Sequence, residues 1–564
     1  MKILRITILL FVLFFSLSGF GCALEITSFC PDTWMKGEGD EFFEITGEGS
    51  LFGISISDGE GSVRFPEGSA IKGSLVVARE GSAYRAVHGE FPDYEIYGTE
   101  SNVPDMMRFG RFQMGNSGDE LILKKGETVI FEVSWPYDVC KREGQVHVFS
   151  DGVWDKRPVF IGQSDFKAQT YENVNLTVFV SPDCSYDVLS SAFRDASEYI
   201  LINVYEFSNP KIAGIVGSKA KSGVKVSMLL EGGPVGGIPS SEYYVASVLN
   251  ESGVPVYSME TENGIHHSPY RYDHAKYVVF DGESVLLASE NFGVTGFPKR
   301  GSAGNRGFGV YIRDEGVAGY FESVFETDVS SPFVSEFKQK IGTPDKSSLP
   351  DYDPVFEAQT FEGASVTPVI SPDTSCLIRE LIESARVSVD IEQAYIKNWS
   401  SGDNPYLEAA ISAAERGVRV RVLLDSYWYN VNGENDNDEM ADYINSRAEA
   451  ENLPLEARTV SLSKTGFEKI HNKGVIVDGS RVLVSSVNWN ENSPQFNREA
   501  GVIIEHQGVG EYFGRVFDYD WEGGEGVNPW ISDVFLEDGD YGLKNLLAVF
   551  VIAIFIGLYV KRRR

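Results

Sequence analysis

The segment Arg271–Gly282 reads RYDHAKYVVFDG, and far downstream Glu468–Gly479 reads EKIHNKGVIVDG. Both set a His two residues before a Lys, then four mostly apolar residues, then Asp-Gly, in a chain with only 7 histidines. No other feature constrains the fold as much. A phrase repeated in one frame implies an internal duplication, and so two similar units packed together.

The surrounding landmarks repeat in the same order. Val180–Cys184 (VSPDC) returns as Ile370–Thr374 (ISPDT), and Tyr199–Phe207 (YILINVYEF) as Arg386–Ala394 (RVSVDIEQA). The stretch AKSGVKVSMLLEGG from Ala220 is echoed by AERGVRVRVLLDSY from Ala414. Each Gly-Val stops a helix and opens an apolar strand. Helix–strand alternation of this kind predicts parallel βαβ units in a sheet covered on both faces. The Pro- and Asp-rich SSLPDYDPVFEAQ (Ser347–Gln359) is the expected connector.

Each phrase continues into further polar residues. The first runs His274, Lys276, Asp281, Ser289, Asn291 and Asn305; the second runs His471, Lys473, Asp478, Ser486, Asn488, Asn497 and Glu499. Residues two apart on a strand share a face, so His and Lys project together, as do Ser and Asn. Polar groups converging at the end of a buried sheet are costly unless they serve something. Two lysines, two asparagines and two serines suit the oxygens of a pentavalent phosphorus. One imidazole can attack while the other protonates the leaving oxygen. No Cys/His or carboxylate cluster near the phrases has metal-ligand spacing, so the chemistry expected needs no cation or cofactor. Asp281 and Asp478 end strands at Asp-Gly turns, where a structural role is the natural one.

The frame H-x-K-x4-D-x6-[AGS]-S-x-N, present as HAKYVVFDGESVLLASEN and HNKGVIVDGSRVLVSSVN, resembles the phospholipase D superfamily over Tyr171–Pro332 and Phe361–Trp521. The resemblance implies two α/β repeats (171–332 and 361–530, linker 333–360) packed as a pseudo-dimer around one pocket. It further implies a phosphohistidine intermediate released by water or an alcohol. In such families a Glu at the Glu499 position often supports the His of its own half, and Gly307 takes that place in the first copy. A carboxylate raises the pKa of the imidazole it contacts. His471 is therefore expected to be the general acid and His274, without the carboxylate, the neutral nucleophile. Glu206, matched against Gln393, could compensate for the missing Glu. His266 and His267 fall on the expected pocket rim.

From Leu24 to Lys167 short alternating runs with Gly-Asp punctuation predict an antiparallel, immunoglobulin-like β-sandwich. The pieces GDEFFEITGEGSLFGISISDGEG and GNSGDELILKKGETVIFEV are similar to a lamin-tail domain (24–167). His88 and His147 are read there as packing or surface residues and not as ligands.

At the start, Lys2 and Arg5 precede an apolar run, with Gly21 and Ala23 at the small-residue positions of a secretory signal (1–23). Near the other end, Leu543–Val560 is read as one transmembrane helix, with Lys544 snorkelling and the basic tail 561–564 on the cytoplasmic side. The ectodomain is expected outside the cytoplasm, where Cys30 and Cys140 form the candidate disulfide. A net charge of −33 argues against a general nucleic-acid binder. A phosphodiesterase or phosphatidyltransferase acting on phospholipid, as a membrane-anchored monomer, is the primary expectation. A nuclease of the same mechanism is the alternative, with a local groove from Lys219, Lys221 and Lys225 or Arg416, Arg419 and Arg421. An inactive phosphodiester- or partner-binding surface protein is the alternative from another class.

Overall fold

The computed structural model describes residues 24–524, apart from 100, 136–142, 151–152, 155–157, 264–265, 401 and 434–435. The signal, the apolar C-terminal segment and Cys140 lie outside the described residues, and with Cys140 the proposed disulfide. No described helix is long and apolar enough to cross a membrane.

Among the described residues the N-terminal region forms a 7-stranded and a 5-stranded sheet, antiparallel but for one short pairing at Val77–Tyr94. Ile26, Phe43 and Ile45 of the first sheet share one apolar core with Ile54, Ile56, Leu121 and Leu123 of the second. This follows from period-2 alternation, which gives each strand one apolar face. His147 stacks on Phe29, and His88 on Tyr84, so both pack as expected.

The rest is one 15-stranded sheet whose order mirrors itself about its middle. From the outside inward the first half supplies Val256–Met259, Lys225–Glu231, Tyr199–Val204, Lys276–Phe280, Ser284–Ala288, Gly307–Arg313 and Tyr171–Ser181. From there outward the second half supplies Gln359–Ser371, Glu499–Glu505, Arg481–Ser485, Lys473–Val477, Ser388–Gln393, Arg419–Leu424 and Leu455–Thr459. The strand Val334–Glu336, from the connector region, adds one edge.

The parallel βαβ units are present, but they make up only the outer part of each half. Only the three outer strands of each half pair in parallel; the two phrases form antiparallel hairpins that lead back to the centre. Continuous apolar runs mark a strand buried on both faces, and such strands need not be parallel. The repeat register is corrected. Tyr199 pairs with Lys225 as Ser388 pairs with Arg419, so Val204 matches Gln393 and Glu206 matches Tyr395.

Candidate active site

Lys276 and Lys473 each open a strand, and the His two residues earlier lies just outside it. These histidines are pinned across the seam between the halves. The N–H of His274 donates to Arg498 O at 2.8 Å, and that of His471 to Arg306 O at 2.9 Å. Each Lys ammonium turns back to the carbonyl of its own His, at 2.7 Å for Lys276 and 2.6 Å for Lys473. Burial brings Lys276 down to about 8. Burial and the neighbouring Lys276 hold Lys473 well below the ordinary lysine range.

The carboxylate Glu499 serves the opposite half. Its Oε2 lies 2.7 Å from Nδ1 of His274, which corrects the expectation that it supports His471. The reason lies in the backbone: Glu499 follows Arg498, whose carbonyl already holds His274. Burial works to raise the Glu499 carboxyl, but His274 and Lys276 outweigh it and hold it below its usual range. An ionised carboxylate only accepts, so Nδ1 carries the proton and Nε2 keeps its lone pair. Burial pushes His274 down to about 4 against the pull of Glu499. Burial, then Lys473, Lys469 and Lys276, push His471 well below its ordinary value. The imidazolium expected at His471 is therefore not favoured by the protein alone. Its nearest carboxylate is Glu290, with Oε2 at 3.5 Å from Nδ1, an ion-pair separation without a hydrogen bond.

Two cavities meet at His471. One, of about 370 Å³, holds His274, His471, Tyr205, Tyr395, Arg271 and Asn488. The other, of about 440 Å³, holds His471, Glu206, Glu290, Asn291, Glu468 and Asp345. The mirrored phrases place unlike residues at equivalent points, Arg271 against Glu468 and Tyr395 against Glu206. Tyr205 packs edge-on to His274 at 4.6 Å, and Lys276 Nζ lies 5.3 Å from the same ring.

The remaining predicted residues divide. Asn291 and Asn488 reach the cavities, as do Asn305 and Asn497, and the side-chain oxygens of Asn291 and Asn488 have no hydrogen-bond partner among the described residues. Ser289 and Ser486 do not reach them. Both are fully buried, Ser289 accepting the Phe308 N–H and Ser486 exchanging bonds with Ala500, because they tie adjacent strands together. Asp281 and Asp478 are structural: each sits at positive φ and accepts backbone N–H groups of residues 197–199 and 386–388. Glu206 lines the second cavity and accepts from Ser208, but the carboxylate nearest His471 is Glu290. His266 stacks on Trp34, and His267 lies 3.9 Å from Glu143, so both face the N-terminal region. The candidate basic groove is not at the site. Lys225 and Arg419 begin strands whose opposite ends approach the histidines, and Arg421 is paired with Asp390 and Asp518.

Sequence reasoning missed two buried arginines. Arg306 joins Asp183 of its own half at 2.7 Å to Asp520 of the other at 2.8 Å. Arg498 joins Asp328 of the first half at 2.8 Å and lies 3.8 Å from Asp373 of its own. The repeated Asn-Arg and Ser-Pro-Asp were the available signals.

A family model described as cardiolipin synthase, PLD-like domain, matches residues 189–329 and 378–521. The chain is 23% identical over 377 residues to the probable cardiolipin synthase YwiE of Bacillus subtilis (strain 168), covering 63% of this chain and 67% of that one. It is 23% identical over 196 residues to a phospholipase D of Rickettsia bellii (strain RML369-C), covering 34% of this chain and 80% of that protein. A crystal structure of phosphatidylserine synthase from Haemophilus influenzae Rd KW20 aligns with TM-score 0.46 and 14% identity, over 69% of this chain and 96% of that one. The family match falls on both halves, and each half carries one His-Lys pair of the shared site; the chain therefore belongs to the phospholipase D-like family and is an enzyme of phosphodiester hydrolysis or transfer.

Proposed function

We propose that the enzyme acts on phospholipid, with His274 as nucleophile and His471 as general acid. Nε2 of His274 attacks phosphorus, and the bond to the leaving oxygen breaks. That oxygen takes the proton of His471. Water or an alcohol then attacks the phosphohistidine, gives a proton to His471 and releases neutral His274. The nucleophile assignment now rests on Glu499, which fixes the tautomer of His274 and stabilises its cationic phosphorylated form. A bound phosphodiester anion restores the proton to His471, since an opposite charge favours imidazolium. Lys276, Lys473, Asn291 and Asn488 are the donors toward the phosphoryl oxygens.

The observation that carries the lipid reading is the mouth of the first cavity. Val235 and Tyr429 line it 77% and 47% exposed, and Trp428, 63% exposed, packs against Tyr429, an apolar rim suited to a lipid interface. Phosphorus is displaced in line. The leaving alcohol therefore departs on the His471 side, into the acidic cavity, while the acyl-bearing part occupies the aromatic one. The related proteins are named for phospholipid chemistry, which supports the same choice. An exported protein held at the cell membrane by 543–560, with a lamin-tail-like N-terminal domain, completes the reading.

The test is turnover of labelled phosphatidylcholine and phosphatidylglycerol, against single-stranded DNA, in the presence of a chelator. Lipid turnover lost in His274→Asn and His471→Asn is expected. Cleavage of DNA alone would replace this reading with a nuclease.

A further inference from the structure

Gly307 and Glu499 hold the same place in the two halves, each opening the strand after an Asn-Arg pair. A side chain at 307 has no room as the neighbours stand, because a Cβ there would lie 2.5 Å from Oε1 of Glu290 and 2.7 Å from Oγ of Ser289. Glu290 is the middle residue of Ser289-Glu290-Asn291, and the second half has Val487 at that point. The supporting amides correspond too. Asn305 Nδ2 donates to Glu290 Oε2 at 2.9 Å, as Asn497 Nδ2 donates to Glu499 Oε1 at 3.1 Å. Glu290 is 2% exposed, its Oε1 has no hydrogen-bond partner among the described residues, and its Oε2 is the carboxylate oxygen nearest His471 Nδ1. The two halves thus bring a carboxylate to a histidine by different routes, one from a strand start and one from the Ser-x-Asn turn.

We infer that Glu290 is the positioning residue of His471, replacing the carboxylate that Gly307 cannot supply. It acts through the ring, holding Nε2 toward phosphorus and stabilising the imidazolium that protonates the leaving oxygen. The inference rests on the acid role proposed above for His471. It also explains why a Gly at 307 need not mean a lapsed enzyme, since the charge has moved and not vanished.

The experiment uses the full chain on phospholipid in mixed micelles. Glu290→Val, the residue of the second half, should lower kcat about 100-fold with KM nearly unchanged. Adding Gly307→Glu to that variant reproduces the arrangement around His274, and should recover about tenfold or more of the loss. Glu290→Gln keeps the shape and removes the charge. It should move the basic limb of the kcat–pH profile to lower pH, because the imidazolium is then less favoured. Full activity in Glu290→Val overturns the inference. So does a double variant that melts like wild type yet recovers nothing, or an unmoved limb in Glu290→Gln. Failure of the acid assignment itself would look different: phosphate trapped on His471 instead of His274.

Discussion

With the Glu499 carboxylate at 2.7 Å from Nδ1, His274 presents one tautomer, and the phosphoenzyme should form there. Rapid quench with phosphorus-labelled lipid followed by peptide mapping should place the label on His274. In Glu499→Gln the rate of labelling should fall about 100-fold, as expected when a histidine loses the group that orients it; an unchanged rate would remove Glu499 from the mechanism. The same burial sets a stability signature. His274 titrates at about 4 when folded and near 6.5 when unfolded, and His471 is also lowered. Between those values the unfolded chain binds protons that the folded chain refuses, so stability falls as pH falls through that window. Relative to His274→Gln/His471→Gln, the wild type should lose up to about 1.4 kcal/mol per pH unit per histidine, read from urea midpoints between pH 6.5 and 5. Parallel pH curves for the two proteins would contradict it. That the histidines and asparagines of the two phrases come together was legible in their repeated spacing. Their pairing was not, because a period-2 face says which side chains project together but not which half's carboxylate they meet.

Arg306 and Arg498 show how elements of the two halves are joined. Each guanidinium is fully buried and bridges a Ser-Pro-Asp aspartate of its own half and a C-terminal helix aspartate of the other. Arg306 Nη1 also donates to Ser181 O, and Arg498 Nη1 to Ser371 O, at equivalent strand ends. Removing one partner of a buried cluster leaves uncompensated charge, whereas forming the cluster contributes little net. Arg498→Met strands Asp328 and Asp373, and should cost about 3–5 kcal/mol in urea unfolding. A loss below about 1 kcal/mol would mean that the aspartates simply take up protons. Since the Arg498 carbonyl holds His274, activity should fall alongside stability. At this scale the sequence reading was partly right. The Gly-Val and Asp-Gly boundaries fell where strands begin and end, because helix stops and left-handed turns are local events. The hairpin direction and the two-residue register around Tyr199 depend on which strands become neighbours, which local pattern does not encode. Asp281 and Asp478 fix that register by accepting the N–H groups up to and including those of Tyr199 and Ser388.

For the whole molecule, duplication makes a site with two mirrored approaches, and divergence makes them unequal. Arg271 and Glu468 are both three residues before a catalytic-phrase His, yet carry opposite charge and line different cavities. In the acidic cavity Glu206, Glu290, Asp345 and Glu468 face one cation, Lys469, whose ammonium donates to Tyr429 at 2.8 Å. Asp345 comes from the connector and accepts from Ser347, so a segment read only as a spacer walls the site. The net charge of −33 argues against a general polyanion clamp, but it could not reveal this asymmetry, which arises only where the two halves meet. If the leaving alcohol departs into the acidic cavity, an ammonium-bearing head group should be preferred over an uncharged one. Glu468 is half-buried at the wall, where reversing one charge changes an interaction by roughly 1 kcal/mol. In competition between phosphatidylcholine and phosphatidylglycerol, Glu468→Arg should therefore shift the ratio of kcat/KM about fivefold toward phosphatidylglycerol. Arg271→Glu, on the other approach, should leave that ratio nearly where it was while weakening lipid binding. If both substitutions move the ratio equally, the head group does not choose between the cavities, and the direction of departure assigned from His471 is wrong.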